Sequence, residues 1–143
     1  MISTNDLVEP YEMKNVHPQN KKDVGKRLAY MALNKTYHIP EIQAYGPTYK
    51  SMDIKNETVI LSFEHAEEGF NRQSDMVGFE IAGDNKIFYP AKAEVFNNFQ
   101  IKVTCDKVTH PVAVRYCFRD FQIGNVANLR ELPLYPFRTD TWE

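Results

Sequence analysis

VGFEIAGDNKIFYPAKAEVFNNFQIKVTC, residues Val77 to Cys105, is the stretch whose reading decides the fold. Val77 to Ala82 and Lys86 to Tyr89 are short β-favouring runs on either side of Gly83-Asp84-Asn85, residue types that tolerate the backbone of a tight turn. Ala91 to Phe96 and Phe99 to Cys105 flank Asn97-Asn98 in the same way. Two hairpins spaced so closely leave no room for a helix between them, and the stretch predicts antiparallel sheet.

The same period extends outward. Thr48 to Ile54 and Glu57 to Phe63 read as strands joined at Asn56, with Val59, Leu61 and Phe63 alternating onto one face. His65 to Met76 is polar and reads as a long loop. Pro111 to Phe118 places Val112, Val114, Tyr116 and Phe118 on one face, against Ala113, Arg115 and Cys117 on the other. About seven short strands with regular turn signals predict a mainly β chain folded as an antiparallel β-sandwich. Phe121 to Glu143 has no period, but Leu129, Leu132, Leu134, Tyr135, Phe137 and Trp142 predict a tail that packs down.

Upstream the period changes. In NVHPQNKKDVGKRLAYMAL, Asn15 to Leu33, Pro18 biases His17 towards an extended backbone, and Asn20 with Asp23 forms a helix-capping pair. A helix from Lys21 to Thr36 follows, with Val24, Leu28, Met31 and Ala32 as its apolar stripe beside Leu33. Lys21, Lys22, Lys26 and Arg27 fall on the wet side. Pro40 and then Gly46-Pro47 break the chain, which divides it into a unit over 1–45 and a sandwich over 46–143.

The run HPxNKxxVGxRLA from His17 to Ala29 resembles the last conserved block of sialate O-acetylesterases, SGNH-type carbohydrate esterases in which this His completes a Ser-His-Asp arrangement. GPTYKSM at Gly46, GFEIAGDNKIFYPAKA at Gly78, PVAVRYCF at Pro111 and LPLYPFRTDTW at Leu132 resemble successive blocks of the same family, in order. Only the family's C-terminal part is matched: its nucleophile Ser, in a GQSN-like motif, has no counterpart. The resemblance implies that residues 1–45 are the end of an α/β SGNH esterase domain, with its helix, and that His17 is the catalytic base. The activity it implies is removal of O-acetyl groups from sialic acid or a related sugar, without metal or organic cofactor. A chain of this extent is expected to be inactive alone. The resemblance also suggests a periplasmic or extracellular setting, any address signal belonging to a missing N-terminal part.

Several residues compete for roles at that site. SGNH esterases usually carry the triad acid three residues before the His, where Lys14 stands; Asn15 and Glu12 are the nearest alternatives, Glu12 requiring the loop to fold back, and Asp6 is more remote. Arg72-Gln73-Ser74-Asp75-Met76 resembles GQSN superficially, but Arg72 occupies the place of the small residue a strained nucleophile elbow needs, so Ser74 is rejected. His38, His65 and His110 lack a partner at diagnostic spacing. In the tail, Arg138 and Asp140 are expected to pin the chain by hydrogen bonds.

Composition narrows the alternatives. Seventeen basic against 19 acidic residues, net −2, supply no basic face for nucleic acid. No run of 18 apolar residues is present to cross a membrane, and Met1 to Asn15 does not read as a signal peptide. Cys105 and Cys117 lack metal-ligand spacing and read as buried free thiols. The rival to an esterase is a non-catalytic carbohydrate-binding or interaction module, for which Tyr45, Tyr49, Phe70 and Trp142 are the candidate sugar-stacking rings. Without an esterase domain the helix stripe lacks a cover, which predicts a homo-oligomer through that helix.

Overall fold

The computed structural model describes residues 1–15, 17–71 and 75–142. Strands β1 (Thr48–Lys55), β2 (Thr58–Glu64), β6 (Gln100–Thr104) and β5 (Lys92–Phe96) form one antiparallel sheet in the order β1-β2-β6-β5. Strands β4 (Phe88–Pro90), β3 (Phe79–Ala82), β7 (Ala113–Tyr116) and β8 (Phe137–Arg138) form the other, in the order β4-β3-β7-β8. Successive hairpins therefore go to alternate sheets, and the two sheets enclose one core: a β-sandwich.

The turns explain the pairing. Asn56 (φ 55°) turns β1 into β2, and Asn97 (φ 50°) with Asn98 (φ 65°) turns β5 into β6, left-handed positions that Asn tolerates better than most side chains. Between β3 and β4 the chain closes with a bond from the Lys86 N–H to the Gly83 carbonyl at 3.0 Å. Pro90 ends edge strand β4, where a missing N–H costs no ladder bond, and the chain then crosses to the opposite sheet.

Val59 and Leu61 of β2, Ile101 and Val103 of β6, Ile81 of β3, and Val114 and Tyr116 of β7 are fully buried between the sheets. Phe137 of β8 lies among the core aromatics, stacked on Tyr49 and edge-on to Phe63. The alternation expected through Phe118 stops at Cys117, which takes φ 46°; this turns its thiol inward and leaves Phe118 exposed. Gly78 lies opposite at φ 103°, its bare Cα facing the Cys117 sulfur, where a Cβ would stand 2.7 Å away.

The tail packs down as expected at Leu132, Leu134 and Phe137, although Leu129 remains exposed. It supplies β8, an eighth strand absent from the sequence reading. Asp140 pins it, accepting both arms of the Arg115 guanidinium at 2.7 and 2.8 Å, and Arg138 donates to the Trp142 carbonyl at 3.0 Å. The bonds from Arg115 hold the Asp140 carboxyl below the usual carboxylate range.

Helix α1 (Lys21–Lys35) starts at Asn20, whose side chain accepts from the Asp23 N–H at 3.1 Å. Its orientation corrects the sequence reading. Arg27, expected on the wet side, is the buried residue of the helix, whereas Leu28 is 54% exposed. Val24, Met31, Ala32 and Leu33 are half-buried, and polar contacts accompany them: Arg27 meets Asp6, and Asn34 donates to the Ile42 carbonyl at 2.7 Å. Among the described residues no helix is long and apolar enough to cross a membrane.

Leu61 is fully buried between the sheets, so Leu61→Ala leaves a cavity and is expected to lower stability by about 2–5 kcal/mol, read as a drop in the urea unfolding midpoint at constant slope.

Candidate active site

His17 lies on the loop between a 3-10 turn (Pro10–Lys14) and α1, and it is exposed. Asn15 accepts the His17 backbone N–H on its side-chain oxygen at 3.0 Å, closing the approach to the loop, while the Asn20 cap fixes its exit. Among the described residues no side chain hydrogen-bonds the His17 imidazole.

Each candidate acid is engaged elsewhere. Asp6 makes a two-armed ion pair with Arg27, Oδ1 to Nη1 at 2.7 Å and Oδ2 to Nη2 at 2.5 Å, and Arg27 also donates to the Ser3 carbonyl at 2.8 Å. Glu12 is reached by a loop that does fold back, but its carboxylate is buried and accepts backbone N–H groups, from Glu9 at 2.9 Å and from Gln19 at 2.8 Å. Lys14 is exposed. The described residues thus present the His17 imidazole at the surface, with none of the candidate acids bonded to it.

The other candidates are dispersed. His38 and His110 are exposed, and His65 stacks on Tyr45 with ring centroids 5.4 Å apart. Arg72, Gln73 and Ser74 lie outside the described residues; Asp75 is exposed and Met76 buried. The rings proposed for sugar stacking form no common platform. Phe70 is in the core, Tyr49 stacks on Phe137 at 4.8 Å, Tyr45 carries His65 and the Lys35 ammonium, and Trp142 packs on Phe88 under Lys86.

Sequence reasoning missed the Asp6–Arg27 pair and a second one in which Arg119 donates from Nε to the buried Glu80 carboxylate at 2.9 Å. Neither has a local signal, since the partners lie far apart along the chain. Among the described residues no group of three His, Cys, Asp or Glu side chains is arranged to hold a metal ion. Cys105 and Cys117 are both free thiols. Cys117 borders an apolar cleft of about 530 Å³ that runs from Met1 to Asn5 and is walled by Phe121 and Tyr135. Burial pushes its thiol up to about 11.

Neither a protein-family model nor a curated protein sequence matches the chain. A solved structure does: that of a carbohydrate acetylesterase from Xanthomonas citri, with a TM-score of 0.85 and 34% sequence identity over 96% of this chain. The chain is thereby related in structure to a carbohydrate esterase. The chain spans only 31% of the length of that esterase.

At pH 8 the Cys117 thiol stays protonated, because its ionisation midpoint lies near 11. Labelling by a disulfide reagent such as dithionitrobenzoate is expected to be slow at Cys117 in the folded chain and fast in urea, checked by mass spectrometry of the labelled peptides.

Proposed function

We propose that this chain is the C-terminal part of a carbohydrate esterase that removes O-acetyl groups from sialic acid or a related sugar, with His17 as its general base. The observation that carries the reading is the likeness, along nearly the whole chain, to a carbohydrate acetylesterase about three times as long. The sialate O-acetylesterase blocks around His17 and in the sandwich support the narrower substrate class.

In this reading a Ser outside the chain attacks the acetyl carbonyl while His17 takes its hydroxyl proton. Backbone N–H groups hold the oxyanion. As the sugar–oxygen bond to the acetyl carbon breaks, His17 returns the proton to the departing sugar hydroxyl. Water, deprotonated by the same imidazole, then attacks the acetyl carbon; the bond from that carbon to the serine oxygen breaks, the imidazole returns the proton to that oxygen, and acetate leaves. Nothing in this sequence requires a metal or organic cofactor.

The surface that meets the esterase body is the one left apolar and exposed around the loop: Tyr11 and Met13 before His17, and Leu28 on α1. In the isolated chain the same surface supports self-association. Light scattering is expected to report a mass above 16.6 kDa that falls to the monomer value in Leu28→Glu.

The function itself is tested by turnover of an acetyl ester. The isolated chain should hydrolyse p-nitrophenyl acetate no faster than its His17→Ala variant. In a longer protein joining this chain to a GQSN-bearing esterase body, His17→Ala should lower kcat by about 10³-fold or more. Comparable kcat for wild type and His17→Ala in that longer protein would refute the assignment, and O-acetyl sialic acid measured against acetylated xylan separates sialate from other sugars.

A further inference from the structure

Glu12 is 3% exposed, yet no Lys, Arg or His among the described residues forms an ion pair with it. Burying a carboxylate is costly unless hydrogen bonds replace its water. Here two backbone groups do so: the Glu9 N–H donates to Oε2 at 2.9 Å and the Gln19 N–H to Oε1 at 2.8 Å. Bonds to a charged acceptor are roughly twice as strong as neutral ones. The Glu9 bond is local, a capping-box contact within the 3-10 turn, whereas the Gln19 donor stands two residues after His17, so the carboxylate clasps the turn before the His to the segment after it. The start of α1 does not need Glu12, because Asn20 already caps the helix. What the clasp adds is restriction of the segment between, where His17 is otherwise exposed.

We infer that Glu12 is a positioning residue for His17, holding the loop so that the imidazole is presented in one orientation to its nucleophile; the inference rests on the reading of His17 as the base. A positioning carboxylate differs from a triad acid in that it bonds the loop backbone and leaves the imidazole untouched. Gln in its place retains one carbonyl oxygen and can keep one of the two bonds, whereas Ala keeps neither.

The test is made on the chain as it stands, by NMR. Glu12→Ala should speed exchange of the Gln19 amide about tenfold or more, the loss of one charge-assisted bond, and move the His17 imidazole signals to those of an unstructured peptide. The Ile101 amide in β6 should exchange as in the wild type. Glu12→Gln should lie between. Unchanged Gln19 exchange and unchanged His17 signals in Glu12→Ala would overturn the inference. Should Glu12→Ala unfold the whole chain, seen as loss of Ile101 protection, Glu12→Gln decides: wild-type His17 signals in that folded variant overturn it. In the longer, GQSN-bearing enzyme Glu12→Ala should lower kcat about 100-fold with KM little changed, the scale expected for a misplaced catalytic group. A loosened His17 in Glu12→Ala, together with full activity of the longer enzyme's His17→Ala variant, would leave the clasp standing and remove the catalytic reading alone.

Discussion

The arrangement of the N-terminal third depends on one ion pair, Arg27 with Asp6. Helix α1 has no fully buried apolar side chain, Val24, Met31, Ala32 and Leu33 being half-buried, so apolar burial holds it less than it holds the sheets. Its docking rests on a guanidinium whose side chain is 9% exposed, bonded to a carboxylate and to the Ser3 carbonyl. Charges taken that far out of water are tolerated only when paired and hydrogen-bonded, and removing one partner of such a pair typically costs about 3–5 kcal/mol. The segment that carries Asp6 is itself tied to the sandwich, by the Gly124 N–H on the Asn5 carbonyl and by the Tyr135 hydroxyl on the Met1 carbonyl. Helix, His17 loop and sandwich are thereby joined through a strip of polar contacts.

Polar attachment and apolar exposure are two sides of one fact. A helix that meets its own chain through Arg27 and Asn34 has its Leu28 side free, and the exposed Tyr11 and Met13 of the preceding 3-10 turn add to the apolar surface of the same unit. The second sheet uses ion pairs differently: Asp140 on Arg115 and Glu80 on Arg119 fix a tail and a loop onto strands that a hydrophobic core has already placed. Those pairs hold appendages, whereas Arg27 ties helix α1 to the segment that carries Asp6.

What was legible in the sequence was local. Asn56 and Asn97-Asn98 announce their turns because left-handed backbone is a property of the residue, and Asn20 announces the helix because its cap closes within three positions. The burial of Arg27 was not legible, since the helix face that turns inward is selected by Asp6, a residue in another segment. Cys117 breaks an alternation that its neighbours continue on paper; Gly78, on the adjoining segment, supplies the space that lets the backbone turn there. β8 is too short for any period and exists because Arg115 and Tyr116 offer an open edge. The His17 loop could be read from Pro18 and Asn20, and a role for the His only from the family resemblance; the bond from the Gln19 N–H to Glu12 could not be read, because its donor is a backbone amide that any residue carries.

The pairing of β1 with β2 slips by one residue between Tyr49 and Ser51, leaving Lys50 as the extra, exposed residue of a bulge. β1 is an outermost strand, with unpaired backbone groups along its free side, and such a border is a template for another chain to add to. A bulge that carries a lysine spoils that template twice: it kinks the hydrogen-bonding row and sets a charge where an incoming strand would lie. Fibril-like growth along this border is thus opposed by the fold itself.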